Sequence, residues 1–112
     1  MGRKAQKNDS LPGSLDMLIL KTLTREHLHG YAIVQKIRQA SDDQILIEEG
    51  SLYPALQRLE LNGWIAGEWG VTPANRRARI YKLTPKGRKQ LTRETHRYAQ
   101  LTLAISRVMA AE

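Results

Sequence analysis

Apolar positions in the first half of the chain recur at helical spacing. Leu15, Leu18, Ile19 and Thr22 follow the punctuation "LPGS", in which Ser14 is placed to cap a first helix. "REHLHG" interrupts that pattern, and Ile33, Val34, Ile37 and Ala40 then mark one side of a second short helix predicted from Tyr31 to Ala40. "SDDQ" reads as a turn, and "ILI" is too brief for more than a single strand-like pairing. Gly50 and Ser51 open a third helix, with Ser51 as the expected N-cap and Pro54 in the first turn, where a backbone N–H has no partner inside the helix. On its wheel Leu52, Ala55, Leu56 and Leu59 share one arc, while Tyr53, Pro54, Gln57, Arg58 and Leu61 fall on the opposite side.

After Asn62 and Gly63 the period changes from 3.6 to 2. "WIAGEW" and "RIYKLT" alternate and are separated by the polar linker "GVTPANRRA", which predicts a hairpin with a long basic tip. Thr84 and Pro85 then provide an N-cap and a first-turn proline for a helix that runs on towards Met109. Along it Leu91, Tyr98 and Ile105 recur every seven residues, and Leu101 with Val108 form a second row, with Glu94 as the one polar interruption. Two heptads are short for a free coiled coil, so this seam needs either its own domain or a partner chain. The expected fold class is mainly α with a small β-hairpin: a three-helix bundle, the hairpin, and a long C-terminal helix. The expected organisation is a flexible basic N-terminal arm over 1–10, with Arg3, Lys4 and Lys7, a bundle-and-hairpin domain over 11–84, and the last helix over 85–112.

Charge sharpens this picture. Lys and Arg number 18 against 11 Asp and Glu in 112 residues, a formal charge of +7, and the sequence pI is about 10.1. That balance favours an anionic partner, nucleic acid foremost, with ribosomal or membrane-surface binding open on charge alone. Arg76, Arg77 and Arg79 crowd the hairpin linker and the start of its second strand, Lys82, Lys86, Arg88 and Lys89 follow closely, and no acid lies between Arg76 and Lys89. Such density repels itself unless phosphates neutralise it. If roughly six phosphate contacts form, affinity falls with a log–log salt slope of about −5.

The polar side of the third helix offers the Ser51 hydroxyl, Tyr53 phenol, Gln57 amide and Arg58 guanidinium near its N-terminus, where helices in a major groove usually read bases. Taken alone, the same face also suits a solvated surface; the basic hairpin argues for DNA. Tyr53, Gln57 and Arg58 are the candidates for base-proximal contact, with Pro54 among them on the same face. Ser51, Lys36, Arg76, Arg77 and Arg79 are the candidates for contacts to the DNA backbone.

Other chemistries find little support. There is no cysteine, so disulfides and thiolate metal sites are excluded. His27, His29 and His96 have no carboxylate spaced to complete a metal site, and no nucleophile–base set or glycine-rich phosphate loop occurs, so neither catalysis nor a cofactor is expected. "LDMLILKTL" is too short to cross a bilayer and contains Asp16 and Lys21, and "MGRKAQ" carries Gln6 where a myristoylation signal needs Ser or Thr. A soluble cytoplasmic protein is expected.

"HGYAIVQKI", "EEGSLYPALQRLELNGWI" and "RRARIYKLTPKGR", in that order and at these separations, resemble the PadR family of bacterial transcriptional regulators over roughly Leu11 to Arg93. The chain is further similar to the compact Acidobacterial-type subset, which shares the Trp69-Gly70 hairpin pair and the paired arginines. The resemblance implies a winged helix-turn-helix with the third helix as recognition helix, the hairpin as wing, and a C-terminal helix that dimerises through Leu91, Tyr98, Leu101, Ile105 and Val108. It also implies a homodimeric repressor at an inverted-repeat operator in double-stranded DNA, relieved in some members by a small-molecule inducer. Two rival readings use the same elements: a winged-helix protein bound to RNA or the ribosome, and a protein–protein adaptor presenting Tyr53 and Leu61. Trp64 is expected under the sheet; Trp69, on the opposite strand face, has no expected role.

Overall fold

The computed structural model describes residues 14–112, so the expected N-terminal arm over 1–10 lies outside the described residues. The elements are α1 (Leu15–Thr22), β1 (Leu28–His29), α2 (Gly30–Ala40), α3 (Glu49–Leu61), β2 (Ile65–Val71), β3 (Arg77–Leu83) and α4 (Pro85–Ala110). The three strands form one antiparallel sheet in the order β1-β3-β2.

The periodic apolar residues build the core. Ile19 and Leu20 of α1, Ile33 of α2, Leu52, Leu56 and Leu59 of α3, and Ile65 of β2 are almost fully buried together. At about 25 cal/mol per Å² of apolar surface, each such side chain contributes on the order of 1.5–3 kcal/mol. Trp64, expected under the sheet, lies just before β2 and is partly buried against this cluster, while the sheet face that turns to the core is that of Ile65 and Tyr81, which Trp69 shares. Ala40, assigned from the sequence to the inner side of α2, is exposed at the helix end, where the chain has already turned away from the core.

Three local expectations need correction. The N-cap of α3 is Glu48, three residues before Ser51, and Leu52 N–H already donates to the Glu48 carbonyl at 2.9 Å. Pro54 therefore lies in the second turn and forfeits the bond that would have reached the Gly50 carbonyl. Gly50 is exposed, so water can serve that carbonyl. The third strand comes from Leu28–His29, inside the segment read as a break, and residues 45–47 form no strand. Two residues cannot show a period, and β1 exists because Leu28 and His29 pair with Tyr81 and Ile80. The hairpin tip is also shorter than expected: β2 runs on to Val71 and β3 begins at Arg77.

That tip is closed by local bonds. Thr72 N–H donates to the Arg76 carbonyl at 2.8 Å, Asn75 N–H donates to the Thr72 carbonyl at 2.8 Å, and Asn75 takes a left-handed φ of 62° that asparagine tolerates. At its base, α3 ends in a double cap: Gly63 N–H donates to the Glu60 carbonyl and Trp64 N–H to the Leu59 carbonyl, with Gly63 at φ 77°. Thr84 caps α4 by accepting from Gly87 N–H at 2.9 Å and donates its own hydroxyl to the Gly63 carbonyl at 2.7 Å. The end of α3, the wing base and the start of α4 are thereby tied at one point.

Helix α4 has two halves. Its first turns pack on α1 and the wing base, with Leu91 against the core and Glu94 buried, accepting from Gln90 at 2.7 Å and Arg97 at 2.5 Å. From Thr95 onwards every residue is exposed. Twenty-six helical residues span about 39 Å, and the projecting half draws the molecule out to 56 Å in its longest dimension.

Candidate nucleic-acid interface

The exposed side of α3 carries Tyr53, Pro54, Gln57, Arg58 and Leu61, the set read from the wheel, while Ser51 is half-buried near the helix start. Tyr53 is 48% exposed, and its ring is seated over the first residue of α2: a Cβ on Gly30 would stand 3.2 Å from the ring and 3.4 Å from the phenol oxygen. Gly30 thus lets α2 and α3 approach, and the phenol is presented between their N-terminal ends. Tyr31, 64% exposed, accepts a hydrogen bond from Gln35 at 2.6 Å and stacks on His29, extending the polar surface beside Tyr53.

The cations proposed for DNA contact fall into two groups. Arg58 is ion-paired with Asp16 of α1, Lys36 with Glu26 at 2.7 Å, and Arg79 with Glu60 of α3 at 2.6 Å. Arg76 and Arg77 are exposed, and neither forms an ion pair with another described residue; the same holds for Lys82, Lys86, Arg88 and Lys89. The wing and the first turn of α4 therefore carry a run of cations without a described acid partner. Exposed pairs such as Lys36–Glu26 are worth about 0–1 kcal/mol, so a phosphate can displace the acid at small cost.

The register decides what the wing presents. Trp69 pairs with Arg79, and Val71 with Arg77, all on the face that begins at the buried Ile65 and Tyr81. Beyond the core this face emerges into solvent, with Trp69 61% exposed and the Arg77 guanidinium 5.0 Å from its ring centroid. The sequence left Trp69 and Glu60 without a role, because the partners of both lie across a hairpin that periodicity alone does not register.

Comparison with known proteins completes the picture. The model of the transcriptional regulator PadR-like family matches residues 19–93. The chain belongs to the PadR family. A transcriptional regulator of Mycobacterium tuberculosis is 32% identical over 83 residues, which are 74% of this chain and 74% of that protein. A solved transcriptional regulator from Clostridium thermocellum superposes with a TM-score of 0.81 at 31% identity, covering 88% of this chain and 96% of that one. A PadR-family regulator from Eggerthella lenta gives a TM-score of 0.78 at 28% identity, covering 97% and 93%. This PadR chain is accordingly a DNA-binding transcriptional regulator with a winged helix-turn-helix fold, in which α2 and α3 form the helix-turn-helix and β2–β3 the wing.

The seam proposed for dimerisation divides between the two halves of α4. Leu91 is engaged by the core of its own chain, whereas Tyr98, Leu101, Ile105 and Val108 lie 49–72% exposed along the projecting half. Among the described residues no group of His, Cys, Asp or Glu is arranged to hold a metal, and no helix is long and apolar enough to cross a membrane.

Proposed function

We propose that this PadR regulator is a cytoplasmic homodimeric repressor that binds an inverted-repeat operator in double-stranded DNA. The observation that carries the reading is an exposed polar face on α3, tied through Glu60 and Arg79 to a wing whose Arg76, Arg77 and Lys82 pair with no described acid. Tyr53, Gln57 and Arg58, with Pro54 on the same face, approach the base edges. Ser51, Lys36, Arg76 and Arg77 contact the backbone, and Arg79 stands behind them. Functionally, residues 1–10 serve as a basic arm, 11–84 as the DNA-binding domain and 85–112 as the dimerisation helix, although the first turns of α4 share the domain's core.

Dimerisation is supported by the apolar stripe of Tyr98, Leu101, Ile105 and Val108, left bare by its own chain. A two-fold pair of such helices would set the spacing of the two α3 helices, so an inducer, where one acts, would work by changing that spacing through α4.

Binding measured across a salt series on duplex DNA and on structured RNA, alongside sedimentation of the free protein, tests the reading. A dimer that prefers duplex DNA with a slope of about −5 is the expected result. A monomer preferring RNA would support the ribosomal alternative, and salt-independent association with protein the adaptor.

A further inference from the structure

Four side chains form a continuous path from α3 to the wing. Glu60, in the last turn of α3, accepts from Arg79 Nη2 at 2.6 Å and from Gly67 N–H at 3.3 Å, and Arg79 Nη2 also donates to the Gly67 carbonyl at 3.0 Å. A Cβ on Gly67 would stand 2.7 Å from Arg79 Nη2 and would displace the guanidinium from this position. The Arg79 guanidinium lies 5.9 Å from the Trp69 ring centroid, and that of Arg77 lies 5.0 Å from the same ring.

The two arginines therefore differ in what they have left to offer. Arg79 is one-third exposed, its charge is paired with Glu60, and its Nη2 group is taken up by Glu60 and the Gly67 carbonyl, leaving only Nη1 and Nε. Arg77 is exposed and forms no ion pair with a described residue, so its contact with the indole face leaves N–H groups for phosphate oxygens. An arginine already held by a ring also has less rotamer freedom to lose on contact with DNA.

We propose that Glu60, Arg79 and Trp69 are positioning residues that hold the Arg77 guanidinium at a fixed place relative to the recognition helix, and that Arg77 makes the wing's phosphate contact while Arg79 makes none. The proposal rests on the DNA-binding reading. It ties the wing contact to the same helix that reads bases, so the two are presented as one rigid surface.

A double-mutant cycle on the full chain tests it, using a mixed-sequence duplex of about three helical turns (~30 base pairs at about 10.5 per turn). Arg77→Ala is expected to weaken binding and flatten the salt slope by about one unit. Trp69→Leu, at an exposed position and so without effect on the melting temperature, is expected to weaken wild-type binding about two- to fivefold, with Trp69→Phe retaining part of the affinity. In the Arg77→Ala protein, Trp69→Leu should change nothing further. Equal losses from Trp69→Leu in both backgrounds, or no loss in either, overturn the proposal while leaving DNA binding intact. Failure of the wild-type protein to bind the duplex would instead defeat the DNA reading, and the wing assignment with it.

Discussion

Gln57 and Arg58 are neighbours on α3, yet binding asks different things of them. Arg58 must exchange Asp16 for a phosphate or a base, whereas Gln57 is exposed and has no described partner to give up. If the Gln57 amide reads an adenine edge, Gln57→Ala should cost about 1–3 kcal/mol on the preferred site and nearly nothing on a scrambled one. Comparing affinities for the two duplexes checks this, and an equal loss on both would reassign Gln57 to the backbone. Asp16→Asn should release Arg58 and tighten binding to every duplex, by up to about 1 kcal/mol, with a steeper salt slope. Binding unchanged by that substitution would mean that Arg58 stays off the DNA. The side-chain types and their face were legible in the sequence, because a helix of 3.6 residues per turn separates Leu52, Ala55, Leu56 and Leu59 from Tyr53, Gln57 and Arg58. Their partners were not: Asp16 is 42 residues from Arg58, and Glu60 is 19 from Arg79.

At the scale of elements, the junction of α3, wing and α4 is the rigid point of the domain. Gly87 is buried there, and a Cβ would land on the Trp64 carbonyl. Gly87→Ala should therefore push α4 off the wing base and destabilise the protein by about 1–3 kcal/mol, as overpacking does. Thermal denaturation measures it, and an unchanged midpoint would show that the junction yields freely. The boundaries here were readable because each is set by local chemistry: Thr84 and Pro85 start a helix, and Asn62 with Gly63 stop one. β1 was hidden for the opposite reason, since its two residues become a strand by pairing with β3 some fifty positions later. The start of α3 was misplaced because Ser51 is a better intrinsic cap than Glu48, while the bond from Leu52 N–H to the Glu48 carbonyl fixes the earlier start.

For the whole molecule, the question is what covers α4. Its projecting half exposes Leu101, Ile105 and Val108 on a helix whose first turns are anchored in the core, so association there leaves the fold of each domain untouched. Ile105→Glu should convert the dimer to a monomer in sedimentation while preserving the helical circular dichroism of the winged domain, and a persisting dimer would place the interface elsewhere. The heptad rows made this half legible as a seam, but not where it parts from its own domain, because Leu91 and Tyr98 look alike in a seven-residue repeat and differ only in what α1 reaches. A two-fold dimer carries two α3 helices related by that axis, and its DNA must mirror them. Selection of bound fragments from a random duplex pool is the most direct test of this account. It predicts an enriched inverted repeat whose half-site centres lie one helical turn, about 10–10.5 base pairs, or a multiple of it apart. Enrichment of a lone half-site, or of no sequence at all, would contradict it.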